Sequence, residues 1–393
     1  MAMKVRVLLS SVVVLATICL AGCGHYNCGA TFGSSTCNSS GGGGLGNGGT
    51  ATNVAAFDYF PNMGITDAAF VDTSGNFNLV PNFVHPNLTL SGGGDMLIVQ
   101  KKWLYQAIGL KTYAYSIAGG TGALTPITGS PFVSPNTEVV SLISNPAGTF
   151  LFESGANDQQ VVVFGVDQTT GALTTLGSSP ITGFAGQLST DGLGKYLYVT
   201  AANLGTQVTV FAIGSTGALT PVVGSPFSIS IAQLEGEPTG KFLFGVTGNG
   251  ANNGVGTDSH IYVFSIDQTT GAITPVTGSP FATTLIPASL TVHPSGKFVY
   301  TFNGSVTGAT PGTEGYQINA TTGALTPVVG SPFTTVIGSK GEFDQSGAYL
   351  FTQTTGEVAV AAVNTTTGAL SISGKPITGL GPSGGEFAVT DPH

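Results

Sequence analysis

The sequence predicts an all-β fold, a seven-bladed β-propeller with four antiparallel strands per blade, and three observations carry that expectation. Charge is scarce and glycine abundant: of 393 residues 60 are Gly, and 7% are Asp, Glu, Lys or Arg, against about 25% in an average soluble domain. Helical bundles lean on Ala, Leu, Glu and Lys, so a chain rich in Gly, Thr and Val points to strands. A phrase Thr-Gly-Ala-Leu/Ile recurs with its glycine at Gly122, Gly171, Gly217, Gly271, Gly323 and Gly368, and a weaker copy has Gly75, at intervals of 45 to 54 residues. Such a period with β-type composition marks a propeller or another repeat array. The two ends, finally, carry complementary parts of one blade.

The chain starts with an address. Lys4 and Arg6 precede the apolar run Val7–Leu20, too short to span a bilayer comfortably but suited to the core of an export signal. Leu20-Ala21-Gly22-Cys23 resembles the lipobox of bacterial lipoproteins, so residues 1–22 read as a lipoprotein signal peptide and Cys23 as the lipidated residue. Two or three acyl chains would hold the protein stably on a membrane, and Gly24 after the cysteine favours the outer membrane or cell surface. Cys28 and Cys37 follow in an oxidising compartment, as a small disulfide loop or two idle thiols. Residues 23–53 close with a Gly/Ser-rich tether. Residues 54–393 are the expected propeller.

Each repeat has one plan. Ser289–His293 reads as an inner strand, Pro294–Lys297 as a turn and Phe298–Phe302 as a second strand. After a variable loop comes a third strand such as Ile261–Ile266, a turn Asp267–Gly271 in which Asp caps and Gly takes positive φ, and a short fourth strand. Pro126, Pro221, Pro275 and Pro327 fall in the fourth strand, where a missing N–H is tolerated only at a sheet edge. The following Gly-Ser-Pro-Phe would lead the chain inward and lay its Phe between blades. Glu386–Asp391 resembles an inner strand with nothing after it, and Val54–Phe60 a second strand with no inner strand before it. The C-terminal strand is therefore expected to complete the N-terminal blade, which an open β-solenoid, the rival fold, would not require.

His293-Pro-Ser-Gly-Lys-Phe-Val-Tyr300 is similar to the repeated HPDGRFLY unit of the seven-bladed lactonase family, which includes 6-phosphogluconolactonase-like proteins. Asn145–Phe152, Thr190–Tyr198 and Glu237–Phe244 are weaker copies, so the resemblance spans the propeller. It implies, by analogy, lactone hydrolysis by an Arg, His and Glu cluster at the mouth of the central channel. Arginines there would grip a phosphate or carboxylate, and a His or carboxylate would activate water. This sequence departs from that pattern. Ser383 and Gly304 stand where the resemblance places arginines, and the chain's single arginine is Arg6, inside the signal. Lysine supplies charge but no rigid fork.

Function therefore reads first as a binding or scaffold propeller, with an unknown protein, glycan or small-molecule ligand, and second as a lactone hydrolase with an altered site. With a net charge of −9 and no basic face to neutralise phosphates, nucleic acid is not an expected partner. No cofactor or metal is expected, and no catalytic residue is assigned. The candidate ligand-binding residues are Trp103 and Tyr105, read as an exposed aromatic loop within Lys101–Leu110, and Asn249, Asp258 and His260 in a long Gly/Asn loop. Trp103 and Tyr105 would be a binding hot spot or packing against a neighbouring blade. Asp258 and His260 would be a base with its orienter, part of a metal site, or neither. His293 reads as an imidazole satisfied by its turn, Lys195, Lys241 and Lys297 as solvent-facing, and Glu153, Glu235 and Glu237 as solvated acids.

Overall fold

A computed structural model describes residues 54–62, 65–80, 95–155, 157–201, 206–247, 258–303, 311–354, 356–378 and 387–391. All lie within one compact unit, Gly48–His393. Cys23, the expected lipidation site, the pair Cys28 and Cys37, and the loop residue Asn249 lie outside the described residues.

The strands form seven sheets, each a four-stranded antiparallel meander, and two of them add a short fifth strand. Six sheets take their strands consecutively from the chain. The other is joined across the termini: Ala388–Thr390 pairs with Val54–Asn62, which pairs with Ile65–Asp72 and then Phe77–Leu79. The register is Phe57 with Thr390, Asp58 with Val389 and Tyr59 with Ala388. Numbering this sheet blade 1, blades 2 to 7 follow in chain order. The expected closure, strand count and blade number all hold.

Alternation along each strand builds the core. Leu197 and Tyr198 are neighbours in the second strand of blade 4, yet Leu197 packs with blade 3 and Tyr198 with blade 5. Seven clusters of buried apolar side chains result, one at each blade–blade interface. The fourth strands end on Pro126, Pro221, Pro275 and Pro327, all at outer edges. The Gly-Ser-Pro-Phe segment first continues that edge before turning inward. Ser130, Ser225, Ser279 and Ser331 each accept an N–H of the third strand, at 2.8 to 3.1 Å. Phe132, Phe227, Phe281 and Phe333 then pack into the interblade clusters.

The repeated glycine holds blade to blade. In blade 5, Asp267 accepts the N–H groups of Thr269 and Thr270 at 2.9 Å each, and Gly271 has φ +75°. A Cβ on Gly271 would stand 2.5 Å from the Tyr196 ring of blade 4. At three such turns a tyrosine of the preceding blade donates to the glycine carbonyl: Tyr59 to Gly122 at 2.8 Å, Tyr105 to Gly171 at 2.6 Å and Tyr300 to Gly368 at 2.7 Å.

Candidate functional site

Among the described residues no strand pairs with the inner strands on the side facing the axis of the ring, and edge N–H groups need acceptors. Side chains of the preceding blade supply them. Asp95, just before the inner strand Met96–Val99 of blade 2, accepts Leu142 N–H of blade 3 at 2.6 Å and Met96 N–H at 2.9 Å. Ser141 of blade 3 accepts Leu188 N–H of blade 4 at 3.2 Å. Gln233 of blade 5 accepts Leu290 N–H of blade 6 at 3.0 Å and donates to its carbonyl at 3.1 Å. Glu235 accepts Val292 N–H at 2.9 Å through Oε1, and Glu342 of blade 7 accepts Val389 N–H of blade 1.

Asp95, Glu235, Lys340 and Glu342 thus stand together on the inner rim, where the strands Gln233–Gly236 and Lys340–Phe343 supply three of them. Surrounding protein pushes Glu235 up to about 7, although the Val292 N–H and Thr291 hydroxyl pull it down. The same burial takes Asp95 up to about 6, opposed by its hydrogen bonds and by Lys340. Glu342 is raised well above the ordinary carboxyl range, by burial first and then by the charges of Asp58, Glu235 and Asp95. Burial lowers Lys340, and Asp95 counters it. This is a wall of carboxyls whose Asp95 and Glu235 are brought towards neutrality, with one cation beside them.

The residues singled out from sequence fare differently. Asp258 and His260 come together at the start of the third strand of blade 5. His260 Nδ1 lies 2.6 Å from Asp258 Oδ1, and Tyr262 donates to Asp258 Oδ2 at 2.9 Å. This orients an exposed imidazole on the outer part of the blade, separate from the inner strands. Trp103 and Tyr105 require a correction: they are not exposed loop aromatics. They lie in the second strand Trp103–Ile108, 4% and 0% exposed, and pack between blades 2 and 3. The segment before them is a tight hairpin, closed by Lys102 N–H to Val99 C=O, with Gln100 and Lys101 at positive φ. Their side chains tie that turn to both neighbours, Gln100 to Ala147 C=O of blade 3 and Lys101 to Asp391 of blade 1.

Of three acids read as solvated, two are buried and the third is half-buried. Glu153 lies inside a second strand and accepts a hydrogen bond from Thr112; burial raises its pKa. Glu237 is 2% exposed and caps the turn of blade 5 through the N–H groups of Thr239 and Lys241. Glu235 is on the inner rim. His293 behaves as expected, between Ser295 Oγ at 2.7 Å and Gly347 C=O at 2.9 Å. Lys195, Lys241 and Lys297 are exposed.

Sequence reading missed Asp58, Asp95, Lys340 and Glu342. A signal existed for two of them. Asp58 interrupts the apolar run Val54–Phe60, and Glu342 sits in Lys340-Gly341-Glu342-Phe343, an inner-strand position by analogy with Glu235.

No protein-family profile matches the sequence, and no curated protein does. Solved structures do match. A candidate 6-phosphogluconolactonase from Bacteroides fragilis aligns with 16% identity and a TM-score of 0.68, over 87% of this chain and 100% of that one. One from Bacteroides uniformis aligns with 14% identity and a TM-score of 0.68, over 86% and 100%. The periplasmic gluconolactonase of Pseudomonas aeruginosa aligns with 12% identity and a TM-score of 0.66, over 86% and 100%. At such identities the shared property is architecture: this chain has the seven-bladed propeller fold of 6-phosphogluconolactonase-like proteins.

Proposed function

We propose that this chain is an exported, lipid-anchored propeller that binds a neutral, hydroxyl-rich small molecule at its inner rim, through Glu235, Asp95 and Lys340. One observation carries the reading: the inner rim gathers three carboxyls and one lysine, and the chain's single arginine lies in its first six residues. Carboxyls accept hydrogen bonds from hydroxyls and repel phosphates, and no guanidinium fork is present to grip an anion. Lipid anchoring rests on the Leu20–Cys23 lipobox alone. It is tested by Cys23→Ser, which should release the protein from the membrane fraction.

A second reading, hydrolysis of a neutral sugar lactone, has its own support. The fold is that of a gluconolactonase structure, and Glu235 and Asp95 titrate near neutrality, where a carboxylate can draw a proton from water. Calorimetric titration of the full chain with gluconolactone, its 6-phosphate and gluconate, run beside a lactone-disappearance assay, separates the two. The binding reading expects heat from gluconolactone, weakened at least tenfold in Glu235→Gln, with lactone loss at the buffer rate. Turnover abolished by Glu235→Gln would replace it with the hydrolase reading, and preference for the phosphate ester would overturn both.

A further inference from the structure

Asp58 is fully buried, and among the described residues neither of its carboxyl oxygens has a hydrogen-bond partner. An ionised carboxylate in that state is costly enough that a protein ordinarily neutralises it. Its surroundings hold a second acid. Asp58 pairs across the sheet with Val389, and alternation puts it on the face that carries Ala56 and Phe60. That face packs against Phe351, Val358 and Val360 of blade 7. On blade 7, Glu342 pairs with Phe351 and so faces blade 1, where its carboxylate accepts the N–H of Val389. Two carboxyls from opposite walls of the closing seam are therefore placed around one residue: Asp58 as the cross-strand partner of Val389, Glu342 as the acceptor of its N–H.

The other charged groups around the pair do not neutralise it. Glu235 and Asp95 add negative potential at Glu342, and Lys340, two residues before Glu342, acts chiefly on Asp95. Asp67 shares the Asp58 face, two residues along the third strand from Ala69, the partner of Asp58. Tyr59 is next in sequence, and Asp58 helps keep its hydroxyl protonated. A metal ion would want more donors, and among the described residues no three His, Cys, Asp or Glu side chains form a metal-binding group.

We infer that Asp58 keeps its proton while Glu342 faces it across the seam between blades 1 and 7, and that this proton latches the ring by its C-terminal strand. With the proton present, the two facing carboxyls carry at most a single charge. As pH rises the proton passes to solvent and two like charges face each other beside Ala388–Thr390, a strand held to its sheet by three residue pairs. The strand is then released from Val54–Asn62 more often. The seam closes tightest in acid.

Hydrogen–deuterium exchange on the full chain tests this, with rates corrected for the intrinsic effect of pH. Protection of Phe387–Asp391 should fall at least tenfold between pH 5 and pH 8, while the inner strand Ala185–Thr190 of blade 4 should change far less. Asp58→Asn has no titrating proton at the seam, so its seam protection should be independent of pH; Glu342→Gln should behave alike if the first variant misfolds. Equal wild-type protection at both pH values overturns the inference, as does a variant that keeps the full loss. Loosening by EDTA at pH 5, or re-protection by calcium at pH 8, would also overturn it, because a cation would then be the neutralising partner.

Discussion

At the scale of single residues, the repeat glycine and the aromatic ring behind it decide whether one blade seats on the next. Gly271 has both a left-handed backbone and a ring 2.5 Å from where its Cβ would be. Gly271→Ala therefore combines torsional strain with a clash, and should lower stability by about 1–3 kcal/mol in chemical denaturation. Tyr105→Phe keeps the ring and loses only the bond to Gly171 C=O, which should cost about 1 kcal/mol. The turn glycines were legible from sequence because positive φ leaves a compositional mark. The tyrosine clasp was not, since its partner lies 66 residues away. The buried acids were misread for a related reason: Glu237 and Glu235 flank a turn, and only the fold shows that one caps it and the other serves the next blade.

At the scale of the element, the C-terminal strand is small but heavily committed. Phe387, Ala388 and Val389 are 3%, 0% and 3% exposed. Asp391 accepts the N–H of Gln345 in blade 7 at 3.0 Å and pairs with Lys101 of blade 2 at 3.0 Å. Deleting residues 387–393 should strip the apolar cover from one side of blade 1, at several kcal/mol. It should also expose Val54–Asn62 as a bare edge ready to pair with another chain. The expected outcome is a lower midpoint in thermal melts and concentration-dependent oligomers in size-exclusion chromatography; an unchanged monomer with an unchanged melt would refute the closing role. Lys101→Met removes one tether only and should cost less than 1 kcal/mol, the pair being partly exposed.

At the scale of the whole molecule, the carboxyls set the dependence of stability on pH. Asp58, Asp95, Glu235 and Glu342 are all raised by burial, to about 6 for Asp95 and about 7 for Glu235. Unfolded carboxyls titrate near 4. The folded state therefore holds protons that the unfolded chain gives up, and stability falls as pH climbs from about 4 through 7. Asp72, Asp167 and Asp267, lowered by hydrogen bonds in their turns, act in the opposite sense below about 4. Melting should peak in mild acid and drop by several degrees towards neutrality in calorimetry at fixed ionic strength. A peak at pH 8 would mean that these groups ionise freely in the folded protein.

Periodicity and local turn chemistry were sufficient for the architecture. The interval between glycines, the prolines that end outer strands and the complementary half-blades at the termini are properties of the chain read in one dimension, and each has a local physical cause. The acids of the inner rim and of the closing seam are different in kind. Asp58, Asp95, Glu235 and Glu342 lie far apart in sequence, and each has an ordinary carboxyl until closure of the ring removes water and places it beside another blade. Burial and the proximity of like charges are sums over neighbours, so tertiary structure alone decided which acids are solvated and which must hold a proton.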